Sequence, residues 1–195
     1  MSVAAWVRSR IAHHRRRKIL SRCDLTGTGL EIGGSFQPVV PRSSGARVKT
    51  LDHLDQESLR LKYRGLPGID VGKIEQVDFV WDGRTYSDIV RGERFSWIVA
   101  SHVIEHVPDM VGFLKDCSSV LDHGGVLALA VPDMRFTMDK DRPESGLAQA
   151  IDAHLRRDVR PSVGALTELH VRAVGKRGRI NWRPFHVGPT YRLNQ

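Results

Sequence analysis

The chain has 195 residues, of which 41% are hydrophobic and 27% are charged, a composition typical of a soluble globular protein. A chain of this length is most simply expected to form one domain that buries about 70% of its unfolded surface. Its two cysteines exclude a disulfide framework. The sequence lacks both the run of ~18 apolar residues that spans a membrane and the apolar segment of a signal peptide. We therefore expect a cytoplasmic protein without a transmembrane segment.

The net charge of +8 is unevenly distributed along the chain. Residues 1–22 hold seven basic residues and no acidic ones, and residues 156–195 hold nine basic and two acidic residues. The segment between them holds fourteen basic and twenty acidic residues. We predict a basic N-terminal helix or arm over 1–22, an α/β domain over 23–157, and a basic tail or incomplete sheet edge over 158–195. The arm could bind RNA or anionic lipid, although a solvated arm that packs a few side chains on the body is favoured.

The first predicted strand enters a glycine turn over residues 29–34, with the sequence GLEIGG. The dinucleotide-binding spacing G-x-G-x-x-G is absent, because Gly27 and Gly29 precede the strand. Pro38 and Pro41 also interrupt the segment where a long phosphate-binding helix would begin. The turn therefore suits a ligand without a pyrophosphate, although an ordinary tight turn explains the glycines equally well.

The next two predicted strands each end in an acidic residue. The strand at 47–51 is followed by Asp52, at an offset from the glycine turn where a carboxylate accepts hydrogen bonds from both hydroxyls of a ribose. A helix cap is an equally weighted alternative for Asp52. The strand at 77–81 is followed by Asp82-Gly83, where Asp82 could accept from an adenine amine and Trp81 could flank the base. An ordinary Asp-Gly turn is the alternative.

The segment from Phe95 to Asp133 predicts a strand, a helix and a second strand. The first strand covers 96–100, and the helix has Pro108 near its start. Apolar residues at spacings of three and four predict one buried helix face: Met110, Phe113, Leu114, Cys117, Val120 and Leu121. We expect the glycines of His123-Gly124-Gly125 to cap the helix, and 126–131 to form a strand that is covered on both faces.

Parallel strands joined by a helix cross over right-handed, so the two strands end at the same edge of the sheet. Ser101-His102 and Pro132-Asp133 are therefore expected side by side, where open α/β sheets bind ligands. Residues 102–106 also match the zinc-protease pattern H-x-x-E-H. Because His102 directly follows a strand and no further ligand is evident downstream, we predict no metal site.

Five segments, taken together, resemble class I S-adenosylmethionine-dependent methyltransferases of the type-11-like group. They are LEIGG (30–34), LDHLD (51–55), VDFVWDG (77–83), IVASHVIEHVPD (98–109) and LDHGGVLALAVPD (121–133). They occur in the family's order and spacing, within about half of the chain. The glycine loop departs from the family's E-x-G-x-G-x-G, because Ser35-Phe36 follows Gly34.

The resemblance implies a Rossmann-like, doubly wound α/β fold with a mainly parallel sheet, and S-adenosyl-L-methionine as cofactor. It also implies cofactor-binding residues at the ends of four strands: Glu31, Gly33 and Gly34 for the methionine part, Asp52 for the ribose, Asp82 and Gly83 for the adenine, and Ser101 and His102 beside the cofactor.

Methyl transfer from an activated sulfonium depends chiefly on in-line positioning of the nucleophile. A hydroxyl or amine nucleophile must also lose a proton, and His102 is the candidate base because histidine titrates near neutral pH. His106 could serve in the same way, although capping and packing of the following helix is the favoured role for His106 and Glu105.

The family pattern stops after Asp133. Leu147, Ile151 and Leu155 predict one amphipathic helix, and residues 158–195 form a basic tail that includes Trp182. Only five of the family's seven strands can be placed, so the last strands of the sheet are expected to be missing. We expect methyl transfer to an O or N nucleophile of a small-molecule or glycan-type acceptor. The alternatives are an RNA methyltransferase that uses its basic ends, and a truncated non-catalytic cofactor-binding or interaction protein.

Overall fold

The computed structural model describes residues 13–176, 179–180 and 191–192. These residues belong to two compact units. The first unit contains the chain up to Ile104 together with Leu114–Ala130, and the second contains Glu105–Phe113 and the residues from Val131 onwards.

The first unit is built on a five-stranded parallel sheet. Its strands are β1 (Gly29–Ile32), β2 (Val48–Asp52), β3 (Phe79–Val80), β4 (Phe95–Ser101) and β5 (Leu121–Ala130). Their order is β3-β2-β1-β4-β5, and every neighbouring pair is parallel. The chain thus winds outward from β1 to β3 and then, after crossing back, from β4 to β5. This confirms the predicted doubly wound α/β sheet.

Short helices connect these strands. They are α2 (Gln56–Tyr63), α3 (Tyr86–Ile89) and α4 (Met110–Val120), with single 3-10 turns at Arg42–Ser44, Val71–Lys73 and Ile104–His106. Helix α2 begins at Asp55, whose carboxylate accepts from the Ser58 N–H at 2.8 Å and so satisfies a donor that the first turn leaves unpaired. Between β1 and β2, all of whose residues are described, the connection holds one 3-10 turn in place of an α-helix, as its two prolines predict.

The centre of the sheet is buried on both faces. All four residues of β1 are buried, and in β4 so are Phe95 and the run Trp97–Ala100. This is the pattern of inner strands in a parallel sheet that is covered on both sides. Gly29 pairs with Trp97, and a Cβ at Gly29 would lie 2.0 Å from the indole ring. A glycine is therefore required there by space.

The basic N-terminal segment packs against this core. Residues 13–19 are helical (α1), while residues 1–12 of the predicted arm lie outside the described residues. Ile19 and Leu20 pack against a cluster that contains Trp97 and Val99. The described part of the segment thus makes the few apolar contacts that the favoured interpretation of the arm expects.

The predicted boundary between α4 and β5 was wrong. The helix ends at Val120, and β5 begins at Leu121, a residue that the apolar spacing predicts on the helix face. The register then shifts between the pairs Phe95↔Leu121 and Trp97↔Val126, so β5 bulges in between. Gly124 has φ +76°, and a Cβ at Gly125 would lie 3.2 Å from the Ser96 carbonyl oxygen. The two glycines therefore serve a strand bulge and not a helix cap.

The face of α4 is buried only in part. Phe113, Cys117 and Val120 are buried as predicted, and burial raises the pKa of the Cys117 thiol to about 12. Met110 and Leu114 are exposed, contrary to the prediction. The residues of β5, which lies at an edge of the five-stranded sheet, are mostly half-buried, so the prediction of a strand that is covered on both faces was wrong.

The described residues from Val131 onwards in the second unit include two α-helices and a small antiparallel sheet. The helices are α5 (Leu147–Arg156) and α6 (Val163–Arg172), and the sheet joins β6 (Val174–Lys176), β7 (Arg179–Ile180) and β8 (Tyr191–Arg192). Helix α5 was predicted, but Leu147 and Leu155 on its apolar stripe are 78% and 76% exposed. Helix α6 was missed, although Ser162 caps it by accepting from the Ala165 N–H at 3.1 Å. Trp182 of the predicted tail lies outside the described residues.

No helix in the described part of the chain has both the length and the apolar character to cross a membrane.

Candidate functional site

The carboxyl ends of β1, β2 and β4 meet at one edge of the sheet. Ile32 is in register with Leu51 on one side and with Ala100 on the other, so the next residues along each strand are neighbours. The Gly33 N–H donates to the Leu51 carbonyl at 2.9 Å. The glycine turn, Asp52 and Ser101 therefore lie at a common edge, which is where ligands bind in open α/β sheets.

The glycine turn has a left-handed backbone at two positions. Gly33 has φ +68°, and a Cβ there would lie 2.6 Å from the Val103 side chain, so both its conformation and its surroundings require glycine. Ser35 has φ +44°. It stands where the motif E-x-G-x-G-x-G has its second glycine. The loop thus keeps a glycine-like backbone at a position where the sequence departs from the motif.

Glu31 binds the backbone of the loop that follows β1. The residue is buried, and its two carboxylate oxygens accept from the N–H groups of Val39 and Val40 at 2.5 and 2.8 Å. Burial raises the pKa of Glu31, and these two hydrogen bonds oppose that shift. Its role in lining the methionine part of a cofactor stays a prediction, since both oxygens face the backbone of the loop. Gly34 packs on Glu31, because a Cβ at Gly34 would lie 3.4 Å from the carboxyl group.

Asp52 is buried at the end of β2, with a side chain that is 4% exposed. Its Oδ1 accepts from the His53 N–H at 2.8 Å and lies 2.6 Å from His53 Nδ1. Its Oδ2 faces the glycine turn, where it accepts from the N–H and the hydroxyl of Ser35 at 3.3 and 3.4 Å. The Ser35 hydroxyl is in turn 3.4 Å from the Tyr63 hydroxyl. These contacts to Oδ2 are long and therefore weak.

Asp82 follows β3 at the same edge, where the Trp81 N–H donates to the Asp52 carbonyl at 2.8 Å. Its side chain is 49% exposed and pairs with Arg84, whose Nε donates to the two oxygens at 3.1 and 2.9 Å. The hydrogen bonds from Arg84 lower the pKa of Asp82. Gly83 has φ +95°, as a tight turn after a strand requires. The arginine partner was missed by the sequence reasoning, and adenine binding by Asp82 and Gly83 stays a prediction.

Ser101 and His102 end β4. The Ser101 hydroxyl accepts from Arg15 Nη2 at 2.6 Å, so α1 reaches this edge, which no sequence signal beyond its basic charge indicated. His102 is exposed, has φ +57°, and its N–H donates to the Ala130 carbonyl at 2.9 Å. A left-handed histidine costs about 1 kcal/mol or more, and such outliers cluster at functional sites. His102 keeps its place as the candidate base.

The ends of β4 and β5 also meet, because Ser101 is in register with Ala130. Asp133 lies three residues further on, in the second unit, where it caps a 3-10 turn by accepting from the Arg135 N–H at 3.0 Å. The hydrogen bonds from Arg135 lower the pKa of Asp133. Its expected place beside Ser101 stays a prediction.

Asp109 and His154 form a pair of polar side chains within the second unit. The Asp109 carboxylate accepts from the Gly112 N–H at 2.7 Å, which caps α4, and His154 Nδ1 lies 3.0 Å from its other oxygen. Partial burial raises the pKa of Asp109, but the bonds from Gly112 and His154 outweigh it and lower the pKa overall. The distance of 45 residues along the chain hid this pair from sequence reasoning.

The H-x-x-E-H pattern lies at a strand end and a single 3-10 turn (Ile104–His106), not on a regular α-helix. Within the residues that the structure describes, no three His, Cys, Asp or Glu side chains group together in a way that could hold a metal ion.

Comparison with known proteins gives short or distant similarities. No protein-family profile matches the chain. A ubiquinone biosynthesis O-methyltransferase of Parvibaculum lavamentivorans is 51% identical over 39 residues, which are 20% of this chain and 15% of the relative. The similar solved structures include the glycopeptide N-methyltransferase MtfA, with a TM-score of 0.44, 18% identity, and coverage of 60% of this chain and 52% of that one.

Two further solved structures are similar over larger parts of this chain. The CcbJ methyltransferase of Streptomyces caelestis has a TM-score of 0.45 and 14% identity, over 69% of this chain and 53% of its own. The N-methyltransferase NodS of Bradyrhizobium japonicum has a TM-score of 0.42 and 19% identity, over 83% of this chain and 80% of its own. The chain thus spans about half the length of MtfA and CcbJ and 15% of the curated relative.

The strand order and the loops at the carboxyl edge define a Rossmann-like, doubly wound α/β protein, as the sequence analysis predicts. The Parvibaculum relative, MtfA, CcbJ and NodS are all methyltransferases.

Proposed function

We propose that the protein is an S-adenosyl-L-methionine-dependent methyltransferase that acts on an O or N nucleophile of a small-molecule or glycan-type acceptor. The observation that carries this proposal is the meeting of the glycine turn and Asp52, where Ser35 of the turn contacts Oδ2 of the carboxylate. A glycine turn without a following phosphate-binding helix, next to a buried carboxylate, suits a ligand with a ribose and no pyrophosphate.

The residues at this edge fit the proposed cofactor. Gly33 gives the turn its left-handed backbone, and the Val103 side chain fills the space beside it. With the residues that the structure describes, Asp52 Oδ2 makes only long contacts, so ribose hydroxyls can replace them with shorter, charge-assisted hydrogen bonds. Asp82 and Gly83 extend the edge toward the adenine, and Glu31 with Gly34 shapes the loop around the methionine part. The bound cofactor supplies an electrophilic methyl group on a sulfonium.

The chain's own contribution to the reaction is positioning and proton removal. Ser101 and His102 follow β4 at the edge where the cofactor would lie. His102 is the proposed base that takes the proton of the acceptor hydroxyl or amine at its imidazole nitrogen. Its left-handed backbone, which costs free energy, supports a functional role at this position.

A small-molecule or glycan-type acceptor is favoured over RNA by the charge distribution. The segment 23–155, which contains every proposed site residue, has an excess of acidic residues. A polyanionic acceptor would be repelled by such a body. The contact from Arg15 of the basic helix α1 to Ser101 supports RNA as the second candidate, and loss of RNA affinity with rising salt is its test.

Calorimetric titration with S-adenosylmethionine and S-adenosylhomocysteine tests the proposal, with NAD as the negative control. We expect micromolar binding that Asp52→Ala weakens by about 1–3 kcal/mol, because the ribose hydrogen bonds are lost. Asp70→Ala is the matched control, since Asp70 is an exposed aspartate that caps the Val71–Lys73 turn. Unchanged affinity in Asp52→Ala removes Asp52 from the site.

Two other results would change the proposed function. Binding without methyl transfer to any acceptor would support a non-catalytic cofactor-binding protein. A folded protein that binds neither compound would overturn the methyltransferase proposal.

A further inference from the structure

A line of hydrogen bonds connects Asp52 to a lysine on α2. His53 Nδ1 lies 2.6 Å from Asp52 Oδ1, and His53 Nε2 lies 2.8 Å from Lys62 Nζ. The Asp52 side chain is buried, whereas the His53 side chain is 45% exposed. His53 therefore covers the carboxylate on the side away from Ser35, and both of its ring nitrogens are engaged.

The direction of these hydrogen bonds follows from the lysine. A lysine ammonium has three donors and no acceptor, so His53 Nε2 must accept from Lys62. The single ring proton of a neutral imidazole then resides on Nδ1, which donates to Asp52 Oδ1. The structure assigns His53 to the Nδ1–H tautomer, fixed from one side by an ammonium and from the other by a carboxylate.

The two oxygens of Asp52 are unequal as a result. Oδ1 receives two short hydrogen bonds, from the backbone N–H and the ring of His53. Among the described residues, Oδ2 has only the two long contacts with Ser35. Within the described part of the chain, no lysine or arginine pairs directly with Asp52. The Lys62 ammonium is connected to the buried carboxylate by hydrogen bonds through the His53 imidazole. The side chain is thereby held with Oδ2 turned to the glycine turn.

We propose that His53 and Lys62 are positioning residues that fix Asp52 with Oδ2 presented to the ribose. This inference rests on the proposed function, because it names what orients the ribose-binding carboxylate. A carboxylate whose rotation is already restricted loses less freedom on binding, and preorganisation of this kind strengthens affinity. The hydroxyls of the ribose would then replace the Ser35 contacts while the Oδ1 bonds persist.

The imidazole tautomer is the first test and needs no ligand. Long-range ¹H–¹⁵N correlation spectra of the full chain should show His53 with a protonated Nδ1 and an unprotonated Nε2 near pH 7.5, with the signals assigned by their loss in His53→Asn. Lys62→Met should shift the Nε2 resonance, because the donor to that nitrogen is gone. A protonated Nε2 in the wild type, or an unchanged spectrum in Lys62→Met, would overturn the line of hydrogen bonds from Asp52 through His53 to Lys62.

Affinity for S-adenosylhomocysteine is the second test. His53→Leu should weaken binding about tenfold, because one charge-assisted hydrogen bond is lost. His53→Asn should stay within about threefold, since its amide nitrogen reaches the place of Nδ1 and donates as before. Lys62→Met should lose about threefold, whereas Lys73→Met, which removes the same charge from an exposed pair with Asp70, should lose none.

The outcomes separate the two proposals. Equal affinities of His53→Leu and His53→Asn, with both variants folded by thermal unfolding, would overturn the positioning role. A wild type that does not bind the ligand would overturn the proposed function and the positioning role together. The tautomer spectra would then still show whether the hydrogen bonds from Asp52 through His53 to Lys62 exist.

Discussion

Ser35 shows how a single residue can hold a conformation that its type disfavours. Its backbone lies in the left-handed region, at φ +44°, which costs an L-residue other than glycine about 1–2 kcal/mol. Its N–H and hydroxyl contact Asp52, and its hydroxyl is 3.4 Å from that of Tyr63. These contacts help to offset the cost and hold the glycine turn against the end of β2.

The strain at Ser35 is measurable with two variants that both lack the hydroxyl. Ser35→Gly should be more stable than Ser35→Ala by about 1 kcal/mol, because only glycine adopts a positive φ without strain. The larger conformational freedom of glycine in the unfolded chain reduces the difference but does not reverse it. Urea unfolding gives both free energies, and equal values would mean that the turn relaxes when serine is removed.

Asp109 gives a prediction about pH. Its pKa is lowered in the folded protein by hydrogen bonds from Gly112 and His154, so the carboxylate stabilises the fold above its unfolded pKa of about 3.9. That stabilisation is lost as pH falls through the lower, folded pKa. Asp109→Asn should therefore be less stable than wild type at pH 6, and the difference in unfolding free energy should shrink below about pH 4. A difference that is the same at pH 6 and pH 3 would contradict the assignment.

The strands and helices were predicted with different success for identifiable reasons. The inner strand β4 carries the apolar run Trp97–Ala100, as a sheet covered on both faces demands, whereas β1 was predicted from the glycine turn that follows it. The end of α4 was misplaced because His123-Gly124-Gly125 is compatible with a helix cap, while the bulge depends on the register of β4, which no local pattern records. Helix α6 was missed, and its apolar residues Val163 and Leu166 are exposed.

Gly29 allows a test of the fit between β1 and β4. Gly29→Ala should destabilise the protein by about 1–3 kcal/mol, because the new methyl group would overlap the buried Trp97 ring. Gly164→Ala is the control of opposite sign, since that glycine lies exposed in α6 with an ordinary helical φ. It should be neutral or stabilising by up to about 1 kcal/mol. Chemical unfolding of the two variants is the measurement, and a neutral Gly29→Ala would show that the sheet opens to accept a side chain.

At the scale of the whole molecule, the proposed cofactor residues all belong to the first unit, because each lies at or before His102. The common position of the glycine turn and the acidic strand ends could be predicted, since they occur in the order that a parallel sheet brings together, and their roles in cofactor binding stay a prediction. The sequence did not predict the partners of those residues. Arg84 on Asp82, His53 and Lys62 on Asp52, and Arg15 on Ser101 depend on side-chain directions that spacing does not encode.

Ligand binding should accordingly protect the first unit. At 100 times its dissociation constant, S-adenosylhomocysteine should raise the free energy of unfolding by about 2.7 kcal/mol. Hydrogen exchange followed by mass spectrometry should slow most in the loop 33–40 and at the end of β2, with little change in α5 and α6. Protection concentrated in α5 or α6 would place the ligand elsewhere.

The strand order also governs how the chain folds. The central pair of the sheet joins β1 to β4, and its partners Gly29 and Trp97 are 68 residues apart in the chain. Contacts at such separations close slowly, because a long loop must be ordered before they form. At about 5–20 residues per second, the ribosome needs several seconds to deliver β4 after β1. During that interval one edge of β1 has no partner strand, and this nascent edge is where we expect chaperones to bind and aggregation to start.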